Sequence, residues 1–308
     1  MLAAGKGRRI ESVAPELPKS LLPVLDRPLV AWQLEALREV GIRDVVVVIG
    51  HHGGSLAQEL GDGRRFGVRV TTVEQTERLG IAHALTIAAP LLERPFVCLL
   101  GDIFFERADL ARLVRAFDAG TDAVLGVRGG ETPRDLAQNY AVELDPGGWV
   151  RSVLEKPSDG RSGLKGVGLY LFRPAFLAVA RETPRSALRG EHELTDAIGL
   201  ALERGARIRG VELAGRDFNL SEPADLLAVN LHALALAGRA SWISSRASVE
   251  DGAEIEASVV LDGARVSARA RLERSLVLAD QVVGPGVYRE TLFAAGRVVS
   301  CSPADGRR

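Results

Sequence analysis

Short apolar runs alternate with amphipathic segments along most of the chain. The apolar runs are rich in β-branched residues, which is typical of strands that are covered on both faces; they span residues 45–50, 68–73, 96–101 and 123–127. The segments with apolar side chains at helical spacing are residues 29–40, 81–92 and 109–119. This alternation predicts an α/β fold with a doubly wound, mostly parallel sheet.

The pattern changes after residue 127. Residues 140–144, 150–155 and 166–172 alternate apolar and polar positions, and Pro-Gly and Ser-Asp-Gly turns separate them. This alternation predicts antiparallel strands inserted at a sheet edge. Further elements are predicted as helices over residues 174–182, 194–203 and 224–237 and a strand over residues 207–213.

The C-terminal part of the chain has a different pattern, without helical periodicity. From Ala240 onward aliphatic residues recur five or six positions apart, at Val249, Ile255, Val260, Val266, Leu272 and Leu278. Such a period predicts a short left-handed parallel β-helix built of hexapeptide repeats; chance alternation in a β-rich tail is the other interpretation. We therefore predict one domain over residues 1–238 and a β-helix over residues 239–308. The open edge of a short stack favours packing on the first domain or a homo-oligomer.

Composition excludes several classes of protein. The 308 residues carry a formal net charge of −1, which leaves no basic surface for nucleic acid or an anionic membrane. No apolar run approaches the roughly 20 residues that span a bilayer. Cys98 and Cys301 form neither a disulfide framework nor a metal-ligand cluster. We expect a cytoplasmic protein.

Lysine is rare in this sequence. Of 39 basic residues only Lys6, Lys19, Lys156 and Lys165 are lysines. A lysine is retained where a compact ammonium serves better than a guanidinium, for example against one phosphate oxygen. Each lysine is therefore a candidate site residue.

The N-terminus contains a glycine-rich turn after the first predicted strand. Gly5 and Gly7 allow a close approach of phosphates, and Lys6, Arg8 and Arg9 supply positive charge. The turn lacks the Gly-Lys-Ser/Thr of a Walker A loop and the third glycine of a dinucleotide-binding motif. A central strand needs about five residues, and only Met1 and Leu2 precede this turn, so either the natural start lies further upstream or the first strand is stunted.

Four other positions are candidates for chemistry. Lys19 lies in a proline-framed loop, where a solvated turn is the alternative. Gln75 ends a strand and offers both a donor and an acceptor to a nucleobase, whereas the nearby His83 is interpreted as a packing residue. Asp102 follows a strand, where it would bind Mg²⁺ or cap a helix. Glu155 and Lys156 end another strand, where a surface ion pair is the alternative.

These motifs occur in a specific order. The chain contains LAAGxGxR, PKxLLPV, EQ with LGxAHA, GD, EKP, a GELxTD-like segment at residues 190–196 and PxDLLxxN at residues 223–230. This order resembles the sugar-1-phosphate nucleotidyltransferase family over the whole chain, including the hexapeptide tail. Residues 61–68 and 80–84 are most similar to long-form glucose-1-phosphate thymidylyltransferases.

The resemblance implies an Mg²⁺-dependent enzyme that joins a nucleoside triphosphate to a sugar 1-phosphate, giving a nucleotide sugar and pyrophosphate. It favours dTTP and leaves UTP and GTP open. It implies catalytic roles for Arg9, Lys19 and Lys156. It implies that the nucleotide is bound by Leu2, Ala3, Ala4, Gly5, Lys6, Gly7, Gln75 and Gly80. It places the sugar phosphate at Tyr140, Ala141, Glu155 and Lys156, and the metal at Asp102 and Asn219.

The chain departs from the family pattern at several of these positions. Arg8 replaces the usual Thr, Ala141 replaces a Gly beside the sugar, and Asn219 replaces the second metal-binding Asp. Asp217, two residues away, is an alternative ligand, and Lys165 is interpreted as a surface residue. These departures keep open a non-catalytic relative that binds nucleotide or nucleotide sugar. The missing third glycine argues against a dinucleotide-dependent oxidoreductase.

Overall fold

A computed structural model describes residues 1–5, 9–15, 17–50, 53–187 and 189–302 of the chain. The chain forms two compact units. The first unit comprises Met1–Gly5 and Gln33–Asp217, and the second comprises Lys6–Trp32 and Phe218–Arg308. The domain boundary at residue 238 stays a prediction.

Helices and strands follow the predicted alternation closely. The α-helices are α1 (Leu29–Glu39), α2 (Gly54–Leu60), α3 (Ile81–Ala88), α4 (Arg107–Arg115), α5 (Pro133–Leu136), α6 (Phe176–Glu182), α7 (Leu194–Glu203) and α8 (Pro223–Leu236). The strands up to residue 219 are β1 (Leu2–Ala3), β2 (Pro23–Val24), β3 (Arg27–Pro28), β4 (Asp44–Gly50), β5 (Arg69–Gln75), β6 (Phe96–Leu99), β7 (Ile103–Phe104), β8 (Ala123–Glu131), β9 (Tyr140–Leu144), β10 (Val150–Glu155), β11 (Gly163–Phe172), β12 (Ile208–Glu212) and β13 (Phe218–Asn219). Among the described residues, no helix is long and apolar enough to cross a lipid bilayer.

The first part of unit one is a parallel sheet with strand order β1-β4-β5. Leu2 pairs with Val48 in this sheet, and a parallel bridge joins Leu2 to Leu100 directly after β6. The carboxyl ends of β1, β4, β5 and β6 therefore lie along one edge. In open α/β sheets this edge is where ligands bind.

The rest of unit one forms a sheet with strand order β10-β9-β11-β8-β12, in which β6 also pairs with β11. Only the pair of β8 and β12 is parallel; the other pairs in this sheet are antiparallel. The prediction of a mostly parallel sheet is therefore wrong, and the fold is α/β with a mixed sheet. Strands β9 and β10 lie at the edge, as expected for an insertion. Strand β11 is instead an interior strand, because it pairs with β9, β8 and β6. Its last seven residues are buried.

Lys165 is not the surface residue predicted from the sequence. Its side chain is 13% exposed, and its Nζ lies 3.3 Å from both Glu131 Oε1 and Asp217 Oδ2. Arg128 pairs with the other oxygen of Asp217 at 3.0 Å. Lys165 lies on β11 and Arg128 on β8, so this ion-pair cluster links two interior strands of the sheet to the end of unit one.

Helix α8 begins at a defined signal in unit two. Glu222 and Asp225 form a reciprocal capping box, and Pro223 occupies the first turn, where its missing N–H costs nothing. Within the helix the buried Asn230 accepts a hydrogen bond from Leu25 N at 2.7 Å and donates one to Pro23 O at 2.9 Å. These two bonds fix the loop that follows Lys19.

The C-terminal strands of unit two are short and repetitive. They are β14 (Trp242–Ile243), β15 (Ser248–Val249), β16 (Glu254–Glu256), β17 (Val259–Val260), β18 (Arg265–Val266), β19 (Ala270–Glu273), β20 (Leu276–Val277), β21 (Val282–Val283), β22 (Gly286–Arg289), β23 (Thr291–Ala294) and β24 (Arg297–Ser300). They form three sheets, with orders β14-β17-β20-β23-β24, β15-β18-β21 and β16-β19-β22. Neighbouring strands are parallel except for the antiparallel pair β23 and β24.

The aliphatic pattern of the tail holds except at its last predicted position. Val260, Val266 and Leu272 belong to one buried cluster, against which Val249 and Ile255 pack. Val277 is buried in this cluster, whereas the predicted Leu278 is not part of it. Val260 pairs with Val277, so equivalent positions lie 17 residues apart. The five-residue step that the sequence shows from Ile255 to Val260 therefore recurs from Leu272 to Val277.

Candidate functional site

The N-terminal turn lies at the carboxyl edge of the first sheet. Gly101 N donates a hydrogen bond to Leu2 O at 2.8 Å, which places the chain after β6 beside β1. A Cβ on Gly50 would lie 3.1 Å from Ala4 O, so β4 also approaches the turn closely. Leu2, Ala3, Ala4 and Gly5 therefore leave the sheet where a ligand is expected. Lys6 and Gly7, which were assigned to the same loop, and Arg8 lie outside the described residues.

Asp102 directly follows this hydrogen-bonded position and is half-buried. Magnesium that serves phosphate chemistry is usually held by one or two carboxylates together with phosphate oxygens and water. A single carboxylate beside a phosphate-binding turn fits that requirement. The part of the chain that the structure describes contains no group of three or more His, Cys, Asp or Glu side chains placed to hold a metal by themselves.

Gln75 ends β5 at the same edge and is 4% exposed. Its Nε2 donates to Gly80 O at 3.1 Å and lies 3.0 Å from His83 Nδ1. His83, interpreted from the sequence as a packing residue, therefore contacts the side chain proposed to bind the base. Within the described residues, Gln75 Oε1 and Gly80 N have no hydrogen-bond partner.

The segment from Leu79 to Ala82 is attached to His192 through its backbone. His192 N donates to Leu79 O at 2.7 Å, and Ala82 N donates to His192 O at 3.0 Å. Gly80 between them has φ +101°, and a Cβ there would lie 2.5 Å from His192 O. Only glycine fits both the conformation and the space.

Glu155 ends β10 and is held by two side chains from the segment before and within α7. Thr195 Oγ1 donates to its Oε2 at 3.2 Å, and Arg189 lies 3.3 Å from its Oε1. Arg189 also pairs with Glu193, which is buried. Burial raises the pKa of Glu155, and the nearby Glu193 adds to the rise, against the opposing effects of Arg189, Lys156 and Thr195.

Lys156 occupies a left-handed backbone conformation, with φ +44°. Its N–H donates to Asn139 O at 2.8 Å, which fixes the backbone at the end of β10. A non-glycine residue in this region costs on the order of 1–2 kcal/mol. Such strain concentrates at functional positions, where the direction of a side chain matters more than local stability.

Tyr140 and Ala141 begin β9 and are buried. A Cβ on Gly166 would lie 1.7 Å from Tyr140 Cζ, so the tyrosine ring occupies the space that a side chain on β11 would fill. Tyr140 stacks on Tyr170, with ring centroids 6.5 Å apart. Gly166 thus allows Tyr140 to lie flat on the interior strand beside the end of β10.

Unit two contains the remaining candidates. Lys19 Nζ donates to Ser221 Oγ at 3.4 Å, and Ser221 Oγ donates to Asn219 Oδ1 at 3.0 Å. A predicted phosphate-binding residue and a predicted metal ligand are therefore joined through one serine. Arg9 forms an exposed ion pair with Glu222 at 3.1 Å.

Asp217, the alternative metal ligand, is engaged elsewhere in unit one. Its side chain is 8% exposed, and Arg128 and Lys165 neutralise its two oxygens. A metal would have to displace these cations. The structure thus favours a structural role for Asp217 and leaves Asn219 as the predicted second ligand.

The N-terminal turn, the Gln75 amide and the Asp102 carboxylate lie at the strand edge where open α/β sheets bind ligands, which is the arrangement of a nucleotide-binding fold. The chain belongs to the nucleotidyl transferase family, whose sequence model matches residues 1–218.

Individual relatives agree with this assignment. The glucose-1-phosphate thymidylyltransferase of Streptomyces griseus is 35% identical over 289 residues, spanning 90% of this chain and 79% of that protein. A UTP–glucose-1-phosphate uridylyltransferase, AglF of Haloferax volcanii, is 32% identical over 227 residues, spanning 73% of this chain and 91% of that protein. A crystal structure of UDP-glucose pyrophosphorylase complexed with UDP-glucose superposes with a TM-score of 0.67 at 20% identity, covering 77% of this chain and 97% of that one. It shows the same fold.

Four residues of the site had no role in the sequence interpretation: Arg189, His192, Glu193 and Thr195. They lie in or beside the GELxTD-like segment at residues 190–196, which in the sequence contributes only to the family resemblance. Segment 189–195 contacts the loop at Gly80 on one side and Glu155 on the other. The sequence feature that could have indicated these residues is the motif itself, because it is a run of charged and polar residues directly before an amphipathic helix.

The raised pKa of Glu155 predicts a pH-dependent stability. In the folded protein this carboxyl keeps its proton above its ordinary value of 4.5, so its contribution to stability is full below that pH and is lost as pH rises through the raised pKa. Glu155→Gln should therefore gain stability relative to the unmodified protein as pH rises through this window. Urea unfolding of both proteins at a series of pH values measures the difference.

Glu155→Gln also loses the ion pair with Arg189, which changes its free energy of unfolding by an amount that does not track the titration of Glu155. The informative quantity is therefore how the stability difference between the two proteins changes with pH. Parallel stability curves for the two proteins would contradict the assignment.

Proposed function

We propose that this protein transfers a nucleotidyl group from a nucleoside triphosphate to a sugar 1-phosphate, giving a nucleotide sugar and pyrophosphate. Family membership and the names of its relatives support this reaction. The observation that carries the proposal is that the N-terminal turn, Gln75 and Asp102 leave the parallel strands at one edge.

The proposed base site presents one acceptor and one donor. Gln75 Oε1 accepts and Gly80 N–H donates, because the Gln75 amide nitrogen is already engaged by Gly80 O and His83. Thymine and uracil carry an imide N–H beside a carbonyl oxygen, which is the complementary arrangement. We therefore favour dTTP, with UTP next. Guanine carries an N–H beside a carbonyl as well, so GTP is the third choice.

The proposed sugar-phosphate site lies at the ends of β9 and β10. Glu155 accepts hydrogen bonds from sugar hydroxyls, and its contacts with Thr195 and Arg189 fix the carboxylate. Tyr140 and Ala141 form the wall of this site, where the Ala141 methyl restricts the space. Lys156 holds the attacking phosphate.

The reaction needs no covalent enzyme intermediate. An oxygen of the sugar 1-phosphate attacks the α-phosphorus in line, a new P–O bond forms, and the bond to the pyrophosphate oxygen breaks. Lys156 orients and neutralises the nucleophile, and Arg9 and Lys19 neutralise charge on the triphosphate. Asp102 is the proposed residue for Mg²⁺, which when bound would neutralise charge on the phosphates, and Asn219 stays a ligand that only the resemblance implies. Asn supplies a neutral oxygen, a weaker ligand than the aspartate it replaces.

The C-terminal repeat is proposed to be a parallel β-helix. Three sheets in which paired positions of parallel neighbours lie 16 or 17 residues apart, and one aliphatic cluster between them, support this interpretation. Its left-handedness, a homo-oligomeric state and a cytoplasmic location stay predictions.

Pyrophosphate release tests the proposed reaction directly. The full chain is assayed with Mg²⁺ against dTTP, UTP, GTP, CTP and ATP, each paired with the 1-phosphates of glucose, mannose, galactose and N-acetylglucosamine. We expect turnover with dTTP or UTP, and release should require the sugar phosphate. If every pair is inactive while nucleotide binding is measurable, the protein is a binding relative, and Asn219→Asp becomes the informative variant.

A further inference from the structure

The orientation of the Gln75 amide follows from its neighbours. Gly80 O is a carbonyl and can only accept, so the Gln75 atom 3.1 Å from it must be the NH₂ group. The same nitrogen lies 3.0 Å from His83 Nδ1. His83 Nδ1 must then accept, which places the proton of the neutral imidazole on Nε2.

His83 is itself fixed in this orientation. It lies in the first turn of α3, and its ring stacks on that of His192 with centroids 6.2 Å apart and planes 28° apart. His192 Nδ1 donates to Thr183 O at 2.6 Å, since the carbonyl can only accept. The ring that supports His83 therefore has a fixed position, and His83 has little freedom to turn its Nδ1 away from Gln75.

We propose that His83 is a positioning residue that determines nucleobase specificity, because as a neutral acceptor it locks the Gln75 amide with its oxygen toward the base. This inference rests on the proposed function. A fixed oxygen accepts from the imide N–H of thymine or uracil and faces the lone pair of the corresponding ring nitrogen in cytosine. An amide that is free to rotate would present either its oxygen or its NH₂ group, and would therefore bind cytosine as well as thymine or uracil.

Protonation of His83 would remove the hydrogen bond that fixes the orientation of the Gln75 amide. An imidazolium Nδ1 donates, so it would oppose the Gln75 NH₂ group that Gly80 O requires at the same place. The charged groups around His83 are His192, Glu77 and Arg185. Burial lowers the pKa of His83, the charges of His192 and Arg185 lower it further, and Glu77 opposes them. The neutral form is therefore favoured near neutral pH, and base discrimination should weaken only in acid.

Two substitutions separate this role from simple packing. His83→Phe keeps a ring but has no acceptor, whereas His83→Asn places an amide oxygen, an uncharged acceptor, near the position of Nδ1. Binding of dTTP, UTP and CTP is measured by calorimetry from about pH 5 to about pH 8, the range in which histidines titrate. Steady-state kinetics on the preferred triphosphate give KM and kcat separately.

We expect His83→Phe to weaken dTTP and UTP binding about tenfold, the effect of one lost hydrogen bond, and to lower their preference over CTP. KM should rise while kcat changes less than about threefold, since the contact is to the base and not to the reacting phosphates. His83→Asn should restore the preference and make it independent of pH, whereas the unmodified protein loses it in acid.

The outcomes distinguish a failure of the proposed function from a failure of the role proposed for His83. If the unmodified protein binds no triphosphate and makes no nucleotide sugar, the proposed function fails. If it is active but His83→Phe keeps the binding constants and the preference over CTP, the role of His83 is wrong and the enzyme assignment stands. A preference that follows pH equally in His83→Asn would also overturn the role of His83.

Discussion

Replacing Lys156 with alanine should lower the rate of pyrophosphate release by about two to three orders of magnitude, the effect of removing one charged group that stabilises a transition state. Lys156 directly follows Glu155, its backbone is tied to Asn139, and its strained φ of +44° directs the side chain at the expense of stability. Stopped assays at saturating sugar 1-phosphate measure the effect on kcat.

A matched variant separates charge from structure. Glycine adopts the left-handed region without strain, so Lys156→Gly should be at least as stable as Lys156→Ala in urea unfolding and equally inactive. A loss of activity accompanied by unimpaired stability identifies the ammonium as the missing component. Unchanged turnover in either variant would remove Lys156 from the catalytic group.

Gly80→Ala should weaken binding of the preferred triphosphate about 30-fold, because a displaced Gly80 loses both its contact with Gln75 and its donor to the base. The new Cβ would lie 2.5 Å from His192 O and 2.9 Å from His192 N, which are backbone atoms held by two hydrogen bonds. The φ of +101° adds strain for any other residue. Calorimetry with dTTP and UTP measures the loss.

Gly199→Ala is the matched control. Gly199 lies inside α7, and a Cβ there would meet no atom within 4 Å. Alanine in a helix interior stabilises by about 1 kcal/mol relative to glycine, so this variant should bind normally and unfold at slightly higher urea. If triphosphate binding weakens equally in both variants, displacement of the segment at Gly80 is not the cause.

The order of elements was predictable because hydrophobic periodicity is a local property. The boundaries of α7, β9 and β10 match their predictions residue for residue. Strand β11 shows the limit of such prediction: its antiparallel direction is confirmed, but its interior position depends on pairing with β6 and β8, strands distant in sequence. In the tail, Val277 lies in the core instead of the predicted Leu278, because the five-residue step from Ile255 to Val260 recurs from Leu272 to Val277.

The positions of three candidate site residues in the fold were predictable from the ends of the predicted strands. Gln75, Asp102 and Glu155 follow strand ends, and the structure brings Gln75 and Asp102 to one sheet edge. Lys165 shows why exposure cannot be taken from residue type, because its side chain is only 13% exposed where it pairs with Glu131 of β8 and with Asp217. The metal site and the roles of Arg9 and Lys19 stay predictions.

Segment 189–195 has a consequence for how the two substrates bind. His192 holds the loop at Gly80, and Arg189 and Thr195, three residues before and three residues after it, hold Glu155. Ligands at Gly80 and at Glu155 would therefore contact opposite sides of one continuous segment, and any coupling between their affinities must be reciprocal, each changing the affinity of the other by the same factor.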